Sequence, residues 1–182
     1  MDAYKLGDSY TIDDIYALPD GERAELIDGK LYGMAPPSRT HQRISSFLHN
    51  EIYNYIKAQG GDCEVYAAPF AVFLKKDGNN YVEPDLSVIC TPSNLNDRGC
   101  HGAPDWILEI VSPGSRRMDY MIKLFKYRNA GVKEYWIVDP DRNRITVYNF
   151  LDDTVEEYMF GEEVPAGLFQ GLSIRIPSVS MM

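Results

Sequence analysis

A few ionisable residues stand where their type is costly. Glu109 interrupts Trp106-Ile-Leu-Glu-Ile-Val111, a run otherwise apolar enough for a central strand buried on both faces. A carboxylate buried there costs several kcal/mol unless a cation or hydrogen bonds compensate it. Asp85 is in the same situation within Val82-Glu-Pro-Asp-Leu-Ser-Val-Ile89. Two carboxylates on neighbouring central strands suit a hard divalent cation, because magnesium takes oxygen ligands and keeps several waters. Lys123 belongs to the helix that begins directly after the Glu109 strand. Such a crossover helix packs back over its sheet, so its side chains can approach the strand ends. Glu25 stands next to a turn signal, Asp28-Gly29. Plainer readings exist for three of the four. Asp85 suits a turn acid after Pro84, and Glu25 suits a solvent-facing strand position. Asp119 and Lys123 form an i,i+4 pair that stabilises a helix without any further role. Only Glu109 lacks a comfortable structural reading.

The elements that must position these groups can be read in order. Thr11 followed by Ile-Asp-Asp14 starts a short helix that ends before Pro19. Residues 24–27 and 30–34 flank Asp28-Gly29 and form a hairpin, since a type I′ turn needs positive φ at both centres. Pro36-Pro37-Ser38 announces a helix with Ile44, Phe47, Leu48, Ile52, Tyr55 and Ile56 at helical spacing, stopped by Gly60-Gly61. Strands follow at residues 64–68, 70–74 and 81–90, the last two joined by a turn over 77–80. A loop or short helix takes residues 91–103. After the Glu109 strand, Ser112-Pro-Gly-Ser115 caps a helix from Arg116 to Ala130, closed by Gly131. Residues 134–138 and 144–150 make another strand pair, and residues 155–160 an edge strand. The pattern is one mixed sheet with helices on its faces.

Composition bounds the rest. The 182 residues, 45% hydrophobic and 25% charged, suit one globular domain over 1–182. No apolar run reaches the ~20 residues of a membrane helix. No basic stretch followed by an apolar one opens the chain, so no signal peptide is read, and a cytoplasmic protein is the default expectation. Three cysteines, Cys63, Cys90 and Cys100, form an odd set without CxxC spacing, which argues against a disulfide framework and a zinc ribbon. Cys100-His101 reads as loop rather than as a metal site. The net charge of −9 is unlike a protein that grips nucleic acid through a basic surface. One segment differs: between residues 114 and 133 lie Arg116, Arg117, Lys123, Lys126, Arg128 and Lys133 against Asp119 alone. A solvated helix face is the commoner meaning of such a run.

Taken together, Glu25-Leu-Ile-Asp-Gly29, His41-Gln42 at a helix start and Glu83-Pro-Asp-Leu-Ser-Val88 resemble the Uma-two family of restriction-endonuclease-like proteins. So do Leu108-Glu-Ile-Val-Ser-Pro113, Arg117-x-Asp-x-x-x-Lys123 and Gly131-Val-Lys-Glu-Tyr-Trp-Ile-Val-Asp-Pro140. The match runs in order over nearly the whole chain and is specific only as a set. The family belongs to the PD-(D/E)xK nuclease superfamily, so the resemblance implies an α/β (α+β type) fold, a restriction-endonuclease-like mixed β-sheet flanked by helices. Pro84-Asp85 would supply the Pro-Asp and Glu109 the (D/E). The superfamily lysine would fall at position 111, which here is valine; the resemblance implies that Lys123 on the following helix would take its place.

The implied activity is metal-assisted hydrolysis of phosphodiester bonds in nucleic acid, with DNA the expected substrate. Asp85 and Glu109, with the Ile110 carbonyl, would hold Mg²⁺, for which Mn²⁺ can substitute. Lys123 would orient water or offset charge in the transition state, and Glu25 would add a further acid. Arg116, Arg117 and Lys126 would meet the phosphate backbone. His41 is a weaker candidate, since a histidine at a helix start is more often a cap or surface residue. A homodimer is expected, because nuclease folds that cut duplexes often work as dimers. The competing reading, motivated by the charge and by Val111, is a non-catalytic binding or scaffold protein on a decayed nuclease fold.

Overall fold

The computed structural model describes residues 9–74 and 78–178. The first eight residues, which bear on the signal-peptide reading, and Asp77, which opens the turn expected over 77–80, lie outside the described residues.

Local chemistry accounts for most element boundaries. Helix α1 (Ile12–Tyr16) begins where the Asp14 carboxylate accepts the Thr11 backbone N–H at 2.8 Å. Asp28 and Gly29 have φ of 51° and 71°, the backbone of a two-residue hairpin turn between β1 (Ala24–Ile27) and β2 (Lys30–Gly33). Helix α2 (Arg39–Gln59) starts at Ser38, whose hydroxyl accepts the His41 N–H, and stops at Gly60. Strands β3 (Glu64–Ala67) and β4 (Val72–Phe73) follow.

The stretch read as one strand over 81–90 is two, β5 (Asn80–Val82) and β6 (Leu86–Ile89). The break falls at Glu83-Pro84-Asp85, where proline has no N–H for a ladder and the chain changes sheets. Residues 91–103 hold more structure than expected: a 3₁₀ turn (Pro92–Asn94), then β7 (Leu95–Asn96) and β8 (Gly99–His101). Next come β9 (Trp106–Ile110), a π-helical stretch (Met118–Lys123) and α3 (Leu124–Ala130), which ends at Gly131 with φ of 99°. Strands β10 (Glu134–Asp139), β11 (Arg144–Asn149) and β12 (Thr154–Met159) form a meander. A small unanticipated hairpin, β13 (Val164–Pro165) with β14 (Ser173–Ile174), closes the fold.

Instead of one mixed sheet, the described residues form two six-stranded ones, in the orders β2-β1-β5-β4-β8-β7 and β12-β11-β10-β9-β6-β3. Each contains a single parallel pair, β4 with β8 and β10 with β9. Successive strand residues face opposite sides, and β9 shows the consequence. Trp106, Leu108 and Ile110 pack against Ile44, Leu48 and Ile52 of α2 on the outer face. Ile107 and Val111 face inward with Tyr127 of α3 and with Ile27, Val72 and Val82 of the other sheet. Glu109 shares that inner face. On the far side of the sheet that contains β1, β2 and β4, Ile12 and Ile15 of α1 cover Leu26, Leu31 and Phe73. Among the described residues no helix is long and apolar enough to cross a membrane.

The reading against a disulfide framework is corrected in one respect: Cys63 and Cys90 are bonded. Glu64 pairs with Ile89 across β3 and β6, so the residues just beyond that pair stand opposite each other. The odd count concealed one bridge plus one buried thiol. That thiol, Cys100, lies in β8, where burial raises its pKa to about 11. Its neighbour His101 stacks on Phe73 with ring centroids 4.5 Å apart.

Candidate active site

The sheet switch at Pro84 and the helix after β9 bring the suspected residues to one place. Register sets the first contact. Leu86 pairs with Leu108, so one step further along the antiparallel ladder Asp85 lies beside Glu109. The Asp85 N–H donates to Glu109 Oε2 at 3.3 Å, and the Ile110 N–H donates to Asp85 Oδ2 at 2.7 Å. His41, in the first turn of α2, reaches the same Asp85 oxygen at 3.0 Å through Nε2.

Lys123 does reach the strand. Its ammonium lies 2.8 Å from Glu25 Oε1 and 2.9 Å from Glu109 Oε1. All three are buried, with 0% exposure for Glu25 and 4% or less for the other two. Val111 packs in the inner core. Asp119 is not the lysine's partner; its carboxylate accepts the Ser115 hydroxyl at 2.6 Å. The π-helical turn from Met118 to Lys123 adds a residue to the ordinary helical repeat, and such turns are frequent at functional sites.

Tyr127, one turn beyond Lys123, donates its hydroxyl to the same Glu109 Oε1 at 2.6 Å. Two donors thus hold one oxygen of Glu109, and Oε2 is left toward Asp85. On the far side the Glu83 N–H donates to Glu25 Oε1 at 3.0 Å. Glu25 Oε2 is buried with no hydrogen-bond partner. Glu83, Asp85, Glu109, Asp119, Lys123 and His41 line a cleft of about 640 Å³, together with residues 33–38, Ser112–Ser115 and Pro140; Glu25 and Tyr127 lie behind it.

The electrostatics are lopsided. Four carboxyl groups (Glu25, Asp85, Glu109 and Asp119) surround one lysine. Burial raises the Glu109 pKa well above the carboxylate range; Lys123 opposes this, and the neighbouring acids add to it. Asp119 is pushed up to about 6, mainly by burial, against the pull of Lys123 and the Ser115 hydrogen bond. Burial alone would lower the Lys123 pKa, but Glu109, Glu25 and Asp119 raise it well above its ordinary value, so the ammonium keeps its charge. For His41, burial is likewise outweighed by the hydrogen bond and charge of Asp85, and the pKa rises. Burial and Glu109 hold Tyr127 protonated, as a donor.

A hard cation fits this donor set. The free oxygens are carboxylate oxygens, negative charge is in surplus, and one buried carboxylate oxygen is orphaned. Among the described residues no three His, Cys, Asp or Glu form a ready-made cage.

The basic residues expected to meet nucleic acid stand elsewhere. Arg116 donates to Asp139 at 3.2 and 3.1 Å and to Asp141 at 3.4 Å. Lys126 pairs with Asp28 of the β1–β2 turn. Arg117 is exposed and makes no ion pair among the described residues. None of the three lines the cleft. Sequence reasoning missed Tyr127 and Ser115. Tyr127 could have been found from its four-residue spacing to Lys123, which puts both on one helix face.

Comparisons with known proteins give the same fold and a family. The family model Uma2, described as "Putative restriction endonuclease", matches residues 12–177. An uncharacterized protein of Synechocystis sp. is 29% identical over 133 residues, 72% of this chain and 68% of that protein. A crystal structure from Anabaena variabilis, described as "a putative nuclease belonging to DUF820", superposes with a TM-score of 0.73. It is 23% identical, over 93% of this chain and 95% of that one.

Proposed function

The chain belongs to the Uma2 family, and from that premise we propose that it is a divalent-cation-dependent endonuclease hydrolysing phosphodiester bonds of DNA. The observation that carries the reading is the placement of Lys123. A lysine from the helix after β9 bridges Glu25 and Glu109 beside Asp85, although the strand position that would supply it is valine.

Asp85, Glu109 through Oε2 and the Ile110 carbonyl are the groups that would hold Mg²⁺ or Mn²⁺. A bound ion of this kind polarises a phosphoryl oxygen and lowers the pKa of water. The chain's own residues do the remaining work. The Ile110 N–H and His41 fix the Asp85 carboxylate by its Oδ2, and Lys123 and Tyr127 fix Glu109 by its Oε1. Two of the three Lys123 N–H groups go to carboxylates. The third can donate to the attacking water or to a phosphate oxygen, where the fixed positive charge offsets charge that grows in the transition state. Glu25 keeps the lysine in place and charged.

Cleavage of plasmid and oligonucleotide DNA with Mg²⁺ or Mn²⁺ tests this, with Glu109→Ala as the control. The parent should cut and Glu109→Ala should not. If Glu109→Ala cuts as well as the parent, this mechanism is wrong.

A further inference from the structure

We propose that Arg23 is the residue that grips the nucleic-acid backbone at this cleft, binding a phosphate of the strand lying in it. The inference rests on the nuclease reading above and replaces the basic helix as the point of contact. Of the described residues lining the cleft, only Arg23, Lys123 and protonated His41 carry positive charge. Lys123 is 4% exposed and shared by two carboxylates. His41 is bound to Asp85. Arg23 is paired too, but it is the most exposed of the three. Its side chain is 39% exposed, and its only carboxylate partner among the described residues is Glu83.

The guanidinium is also aimed. Nε and Nη2 both donate to Glu83 Oε2, while Glu83 Oε1 accepts the Tyr81 hydroxyl at 2.6 Å. Glu83 is therefore fixed from both sides, and it stands two residues before Asp85. Of the five guanidinium N–H groups three remain, in the fork geometry that suits phosphate oxygens. An arginine held rigidly beside the acids gives a substrate anion its attraction inside an otherwise acidic cleft. A chain with net charge −9 needs such a local device, because its overall field repels DNA.

The test is fluorescence anisotropy of a labelled oligonucleotide, single-stranded and duplex, in calcium over a range of salt concentrations. Arg23→Gln should weaken binding by the same factor for unrelated sequences and make the slope of log K against log salt shallower by about one. Arg23→Lys should keep the parent slope, since it keeps the charge. The melting shift with Mn²⁺ should match the parent's in every variant. Should Arg23→Gln fold poorly because Glu83 loses its partner, the double variant Arg23→Gln/Glu83→Gln removes both ends of the pair. An unchanged slope in the Gln variants, with DNA binding by the parent intact, overturns the role of Arg23 and leaves the nuclease reading standing. Loss of the Mn²⁺ shift in Arg23→Gln would also overturn it, because the effect would then run through the metal site. A parent that binds no DNA overturns both.

Discussion

Replacing Lys123 by methionine removes the charge while keeping most of the side-chain volume. It leaves Glu25 and Glu109, 0% and 4% exposed, without the ammonium that lies 2.8 and 2.9 Å from them. Removing one partner of a buried pair costs about 3–5 kcal/mol, chiefly through the charge left behind. A domain is stable by only about 5–15 kcal/mol, so Lys123→Met should sit near the edge of folding. At about 2–4 °C per kcal/mol for a chain of this size, the melting temperature should fall by roughly 6–20 °C. The effect has a pH sign. The Lys123 pKa is raised in the folded protein, so its contribution is complete at neutral pH and would fade only as pH rises through that raised value. In the variant the orphaned Glu109 carboxyl, whose pKa burial already raises, can take up a proton, so the deficit should shrink as pH falls toward its unfolded range. Urea unfolding of parent and variant at about pH 8 and about pH 5 measures both. A loss below about 1 kcal/mol, the size expected of a surface pair, or a loss independent of pH, would refute the picture of one lysine holding a cluster of buried acids.

Further consequences concern the neighbours. Tyr127→Phe removes one of two donors to Glu109 Oε1 and should lower Mn²⁺ affinity about 10–100-fold, with a stability loss of about 1.5–3 kcal/mol. Calorimetric titration with Mn²⁺ reads the first, and unchanged affinity would separate Tyr127 from the metal site. Asp119→Asn should stabilise the protein above pH of about 6 and make little difference below its unfolded value of 3.8. The reason is that a carboxyl whose folded pKa is raised costs stability only once it ionises. The shift corresponds to at most about 3 kcal/mol, read from melting curves across that pH window; a gain that grows on acidification would contradict it. Glu25→Gln should weaken the hold on Lys123 and reduce cleavage while the Mn²⁺-induced melting shift persists. Loss of that shift would instead make Glu25 a ligand.

The sequence showed the local elements more clearly than their assembly. Asp28-Gly29, Ser38 and Gly60 announce a turn and two helix ends because each solves a local backbone problem. Glu109 was visible because a carboxylate in so apolar a run needs a cation or hydrogen bonds to compensate it, here Lys123 and Tyr127. The arrangement of sheets was not visible. Residues 80–89 are buried almost throughout, so neither periodicity nor hydrophobicity shows that the first half pairs in one sheet and the second in the other. Pro84 was the clue, and it marks both the sheet switch and the site. The disulfide was hidden by an odd cysteine count, since only the β3–β6 register brings Cys63 to Cys90. Charge counting does not show pairing: Arg116 and Lys126 find carboxylates distant in sequence, whereas Arg23, alone in an acidic region, remains partly exposed at the cleft.

The central claim is a cation held by Asp85 and Glu109. Thermal unfolding in EDTA, Mg²⁺ and Mn²⁺, on the parent and on Asp85→Ala, tests it without waiting for a substrate, because a ligand that binds only the native state raises its melting temperature. A metal-dependent rise in the parent that disappears in Asp85→Ala is the predicted result. An equal rise in both proteins, or none in the parent at millimolar metal, would contradict the account.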